Sequence, residues 1–105
     1  MTTLTARLSY GDGLRQFGLY AEAETVARRV LADWIRLQGP DHPLALASLS
    51  LTARVAHGLG KVDEAIAALQ ELIERRERVL GPEHPFIAEN RQWLAEWQAE
   101  AEAQP

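Results

Sequence analysis

The sequence contains no cysteine, which removes disulfide cross-links, thiolate metal sites and cysteine nucleophiles together. It has no basic excess either: 11 basic side chains face 15 acidic ones, for a net charge of −4. That argues against general binding to nucleic acid or to an anionic membrane, since both need a positive field. No run reaches the roughly 18 consecutive apolar residues that would span a bilayer. The opening MTTLTARLSYGDG lacks the basic start and apolar block of a secretion signal. These absences set the expectation of a cytoplasmic chain that meets neither nucleic acid nor membrane. A single lysine beside ten arginines, with abundant alanine, reads as a GC-rich bacterial genome. Aromatic residues make up only 7% of the chain while hydrophobic residues make up 47%, so the core must be built largely from small side chains. At 105 residues there is material for one small domain.

What the chain does contain is self-similarity. Gly39-Pro40-Asp41-His42-Pro43 returns as Gly81-Pro82-Glu83-His84-Pro85, 42 residues later. The same shift carries Leu4 onto Leu46, Gly18 onto Gly60, Glu22 onto Glu64, Ala23 onto Ala65, Arg36 onto Arg78 and Leu37 onto Val79. The chain divides into a first repeat over about 2–43, a second over about 44–85, and a half repeat over about 86–103.

Each full repeat reads as two helices. Pro43 suits a first helical turn, where its missing N–H is no loss, and Gly60-Lys61 breaks the helix that follows. Ala65, Leu69, Leu72, Ile73 and Leu80 then fall on one stripe of a helix over 62–80. Gly81-Pro82 ends it, the glycine as a left-handed cap and the proline because the helix cannot continue. The first repeat predicts helices over 3–17 and 20–38, and the half repeat a fifth helix over about 85–103. No segment alternates as a strand does. The acidic end, Ala99 to Pro105, is expected to fray.

With these pieces in place the chain resembles the tetratricopeptide repeat (TPR) family in its 42-residue, kinesin-light-chain-like form. The carriers are GLGKVDEA at 58–65 and RRERVLGPEHP at 75–85, with weaker copies FGLYAEA at 17–23 and IRLQGPDHP at 35–43. The resemblance implies an all-α, right-handed α-solenoid of two helical hairpins plus a C-terminal capping helix. It places close helix crossings at Gly11, Ala53 and Ala95 in the first helices, and at Ala23 and Ala65 in the second. Ser50-Leu51 stands where the kinesin-light-chain form carries paired asparagines.

Aligning the three first-type helices separates two faces. The face toward the preceding repeat runs Ser9, Leu51, Trp93 and Gly13, Val55, Trp97; the face toward the following helix runs Leu14, Ala56, Gln98 and Tyr10, Thr52, Leu94. The middle helix is apolar on both sides, while Arg91 and Gln98 leave the last one partly polar. This gradient sets the expectation of a self-terminated array whose last helix caps it.

No residue set points to catalysis. His42 and His84 occupy equivalent loops one repeat apart, so stacking keeps them separate and a polar turn accounts for both. Asp41, Glu83, Asp63, Glu64 and Glu22 lie near helix N-termini, where negative charge is favourable. Gly11-Asp12-Gly13 follows no strand and is no phosphate loop, and no serine has a nucleophile signature. The expectation is a non-enzyme without metal or cofactor.

In the implied solenoid the first helices line the concave side. Its candidate partner-binding residues are Leu8, Asp12, Arg15 and Gln16, then Ser50, Arg54 and His57, then Gln92 and Glu96. Arg15 and Arg54 could grip a carboxylate, or pair with Asp12 and Glu96. The leading expectation is a small adaptor or scaffold that binds a protein or peptide on this face. One alternative is a homodimer seamed by Trp34, Trp93 and Trp97, although these three fit core packing as well. The other is a ligand or peptide sensor subunit of a bacterial regulator.

Overall fold

The computed structural model describes residues 3–104; the expected first-repeat boundary at residue 2 lies outside them. Five helices follow one another: α1 (Leu4–Gln16), α2 (Tyr20–Gln38), α3 (Pro43–Gly58), α4 (Val62–Leu80) and α5 (Pro85–Ala103). No strand occurs among the described residues. Helices consecutive in the chain are neighbours in space, and α1 also touches α3. The stack is elongated, measuring 45 × 33 × 19 Å.

The recurring loop explains why α3 and α5 begin where they do. His42 Nδ1 accepts a hydrogen bond from the Leu44 N–H at 3.1 Å, and His84 Nδ1 accepts one from the Phe86 N–H at 3.1 Å. The two histidines are therefore N-caps, each followed by proline at the first helical position. Asp41, in the loop before α3, reaches Arg78 of α4 at 3.6 Å and ties successive hairpins together. Gly81 departs from the left-handed cap expected of it, as does its repeat counterpart Gly39. Their φ, ψ values of 84°, 155° and 89°, 161° combine a positive φ with an extended ψ, a region only glycine enters without strain.

Two apolar clusters meet on α3. Leu51 and Val55 pack with Leu14, Ala23 and Ala27 of the first hairpin; Leu46, Leu49, Ala53 and Ala56 pack with Ala65, Leu69, Leu72 and Ile73 of α4 and with Trp97 of α5. Small residues let the backbones approach where the helices cross. A Cβ on Gly11 would meet Leu51 at 3.0 Å and Val26 at 3.2 Å, and Ala23, Ala53 and Ala65 are fully buried. Ala95 is exposed, because no described helix follows α5.

Two details depart from the sequence reading. Tyr10 is 59% exposed and is not covered by α2. The acidic end does not fray before Ala103: alanine and glutamate favour the helix, and Glu100 is held by His57.

Candidate functional site

The first-type helices set a row of polar side chains around a groove between successive hairpins. One part, of about 270 Å³, is lined by Leu8, Ser9 and Asp12 of α1, Ala47, Ser50, Leu51 and Arg54 of α3, and Arg76 of α4. The adjoining part, of about 160 Å³, shares Ser50, Arg54 and Arg76 and adds Phe86, Glu89, Asn90 and Trp93. The shared residues make the two parts one continuous groove, with Arg54 and Arg76 at its centre.

The two arginines proposed from sequence have different fates. Arg15 Nε donates to Asp12 Oδ1 at 2.9 Å, and Gln16 donates to the other carboxylate oxygen at 2.8 Å. Burial opposes ionisation of Asp12, but these two hydrogen bonds, with the charges of Arg15 and Arg54, outweigh it and hold the carboxyl below its usual range. Arg54 has no carboxylate within ion-pair distance among the described residues; its guanidinium lies 5.2 Å from the centre of the Trp93 ring. Burial, then repulsion from Arg15, makes its positive charge less favourable than in water, and Asp12 and Glu89 only partly offset this.

Arg76 is the member the sequence reading missed. It comes from a second-type helix, so a search confined to first-type helices passes over it. The signal was nevertheless present, since the 42-residue shift sets Arg76 opposite Trp34, a position that repeat one fills with a half-buried indole. Its Nη1 donates to Asn90 Oδ1 at 2.8 Å, and the guanidinium lies over the Phe86 ring at 5.1 Å. Burial lowers its affinity for the proton, with the Glu89 charge acting the other way. Like Arg54, it forms no ion pair within 4.0 Å among the described residues.

Other candidates are engaged inside the protein. His57 Nε2 lies 2.7 Å from Glu100 Oε2, and its ring stacks on Trp97 at 4.6 Å. Gln92 donates to Glu96 at 3.4 Å. The structure thus gathers Leu8, Asp12, Ser50 and Arg54 around the groove, while Arg15, Gln16, His57, Gln92 and Glu96 fall outside its lining. The tryptophans are turned inward: Trp97 is 6% exposed, Trp93 lies between it and Arg54, and Trp34 stacks on His42 at 5.3 Å. Trp34 and Trp93 keep part of their surface in solvent. Among the described residues, no cluster of potential metal ligands occurs and no helix is long and apolar enough to cross a membrane.

Comparison with known proteins follows the same architecture. A family model described as tetratricopeptide repeat matches residues 2–77. Protein KINESIN LIGHT CHAIN-RELATED 2 of Arabidopsis thaliana is 32% identical over 77 residues, which make up 73% of this chain and 11% of that protein. Among solved structures, the kinesin-light-chain-type protein with nearly identical TPR-like repeats from Podosopora anserina superposes with a TM-score of 0.81 at 27% identity, covering 94% of this chain and 47% of its own. The chain therefore spans about a tenth of the curated relative and under half of the solved one.

Proposed function

Because the chain belongs to the tetratricopeptide repeat family, whose repeats mediate protein–protein interaction, we infer that it is a non-catalytic binding module. Its groove between α1, α3 and α5 takes a peptide segment of a partner protein. A carboxylate of that peptide sits between Arg54 and Arg76. One observation carries this reading: two half-buried guanidinium groups line one groove, neither with a carboxylate within 4.0 Å among the described residues. Burying a charge is costly unless it is paired, and the planar fork of arginine matches a carboxylate. Asp12 and Glu89 at the margins restrict where an acidic ligand can lie.

The test is a peptide-display selection on the immobilised chain, followed by calorimetry with the enriched sequences. Peptides bearing a carboxylate should be enriched and should compete with one another. A hydrogen bond to a charged group contributes about 1.5–3 kcal/mol, so Arg54→Ala or Arg76→Ala should weaken binding by roughly tenfold or more. Affinity unchanged in both variants would remove this groove as the binding site.

A further inference from the structure

The upstream face of α1 carries aromatics where the equivalent face of α3 is covered. Tyr10, Gly13 and Phe17 correspond by the 42-residue shift to Thr52, Val55 and Leu59. Val55 is buried in the cluster shared with the first hairpin, and Leu59 packs against that cluster. Phe17, by contrast, is 86% exposed and Tyr10 59%.

The internal translation also gives the shape of a helix that would fit there. Thr52 and Ala68 line a narrow cleft of about 50 Å³ with Glu24, Ala27 and Arg28 of α2. Their counterparts one repeat earlier, Tyr10 and Val26, line an open groove of about 490 Å³ with Arg7, Thr25, Arg29 and Val30. What is a crevice in the second repeat, where α2 occupies the seat, is a trough in the first. The occupant that fits is a helix, because a helix fills the equivalent place. Its chemistry follows from the lining: Tyr10 and Val26 ask for an apolar stripe, while Arg7 and Arg29 give the rim a positive sign in a chain of net charge −4. Arg7 is shared with Asp33 at 3.8 Å, and Arg29 has no ion pair among the described residues. We propose that this trough docks an amphipathic helix of a partner protein whose apolar stripe is flanked by carboxylates.

A probe can be made from the chain itself. The segment 61–74, KVDEAIAALQELIE, has an apolar face and four carboxylates against one lysine. Added in trans as an acetylated, amidated peptide to the full-length protein, it should shift the amide resonances of Tyr10, Gly13, Phe17, Val26 and Arg29. Tyr10→Ser with Phe17→Ser removes two rings outside the core clusters and should abolish those shifts. Arg29→Glu should weaken binding by roughly tenfold at low salt, and less at high salt. Arg54→Ala should leave the peptide-induced shifts of Tyr10, Gly13, Val26 and Arg29 unchanged, which separates this site from the peptide groove. No binding at millimolar peptide, shifts centred on α5, or undiminished binding by the doubly substituted protein would each overturn the proposal. So would a sedimentation experiment in which the chain alone dimerises and the double substitution returns it to monomer, since a second copy would then be the occupant.

Discussion

At its downstream end the stack turns Trp93 and Trp97 inward and leaves Arg91 and Gln98 in water; at its upstream end it leaves Tyr10 and Phe17 there. The same helix type is used at both ends, so the difference lies in side chains. The stripe Leu46, Leu49, Ala53, Ala56, which α3 buries against α4, becomes Ala88, Arg91, Ala95, Gln98 on α5. Arg91 is bonded to Glu77 of α4, Asn90 to Arg76, and Glu100 to His57, so the polar groups of α5 are tied back into the preceding hairpin. Among the described residues, no side-chain hydrogen bond holds the exposed rings of Tyr10 and Phe17. A helix that ends a stack in water needs polar groups on its outer face, and needs bonds that fix those groups from behind. The last helix has both, while the first has aromatic surface of the kind that marks interaction sites.

The largest effect expected from breaking this comparison is at Trp97. It joins α5 to α3 and α4 and supports both His57 and Trp93 by stacking. Trp97→Ala should cost about 3–5 kcal/mol, read as a lower urea midpoint. Phe17→Ala, an aromatic deletion at the other end, should stay within about 0.5 kcal/mol of the parent because that ring is already in water. Equal losses at the two positions would mean that the ends do not differ as described.

The next effect uses equivalent alanines. Ala53 is fully buried where α3 crosses α4, and Ala95 occupies the same repeat position on α5 in solvent. Ala53→Leu should destabilise by about 1–3 kcal/mol through overpacking. Ala95→Leu should be nearly neutral, and thermal unfolding of the pair checks this.

Helix limits were legible because punctuation and period agreed. Pro43, Gly81 and Pro85 mark ends, and the stripe of α4 runs from Ala65 to Ile73 before Arg76 interrupts it. The double-sided burial of α3 was legible for the same reason. The groove was only half legible. Leu8, Asp12, Ser50 and Arg54 follow from lining up first-type helices, but whether an arginine is already paired depends on rotamers, and Arg15 turned to Asp12 while Arg54 did not. Arg76 enters from a helix that the alignment assigned to the other side. Tyr10 sits between the faces inferred from sequence, at an angle where the absence of a neighbouring helix decides exposure.

A smaller loss is expected at Asn90, the buried polar residue that anchors Arg76. Asn90→Ala removes the acceptor and leaves a half-buried guanidinium without it, at about 1–2 kcal/mol of stability. It should also release Arg76 from its position in the groove, so peptide affinity and stability fall together. In Arg76→Ala affinity falls while the neutral site escapes the burial penalty. The difference between the two unfolding curves measures how far Asn90 acts through Arg76.

The smallest expected effect returns to the upstream helix, whose side-chain network centres on Asp12. Its carboxyl titrates below the usual range when folded, so around pH 3–5 the unfolded chain binds more protons than the folded one. The stability it confers is present above the ordinary carboxylate value and is lost as pH falls through the folded value. Solvent screens the Arg15–Asp12 pair, whose carboxylate is 38% exposed, so the contribution stays below about 1 kcal/mol. Asp12→Asn should therefore lower stability slightly at pH 7, with the gap closing as the solution is acidified, and should shrink the gap at pH 7 when salt is added. A gap that widens in acid would mean that burial, rather than Arg15 and Gln16, governs this carboxyl. The upstream helix would then hold an unfavourable charge in addition to its exposed rings.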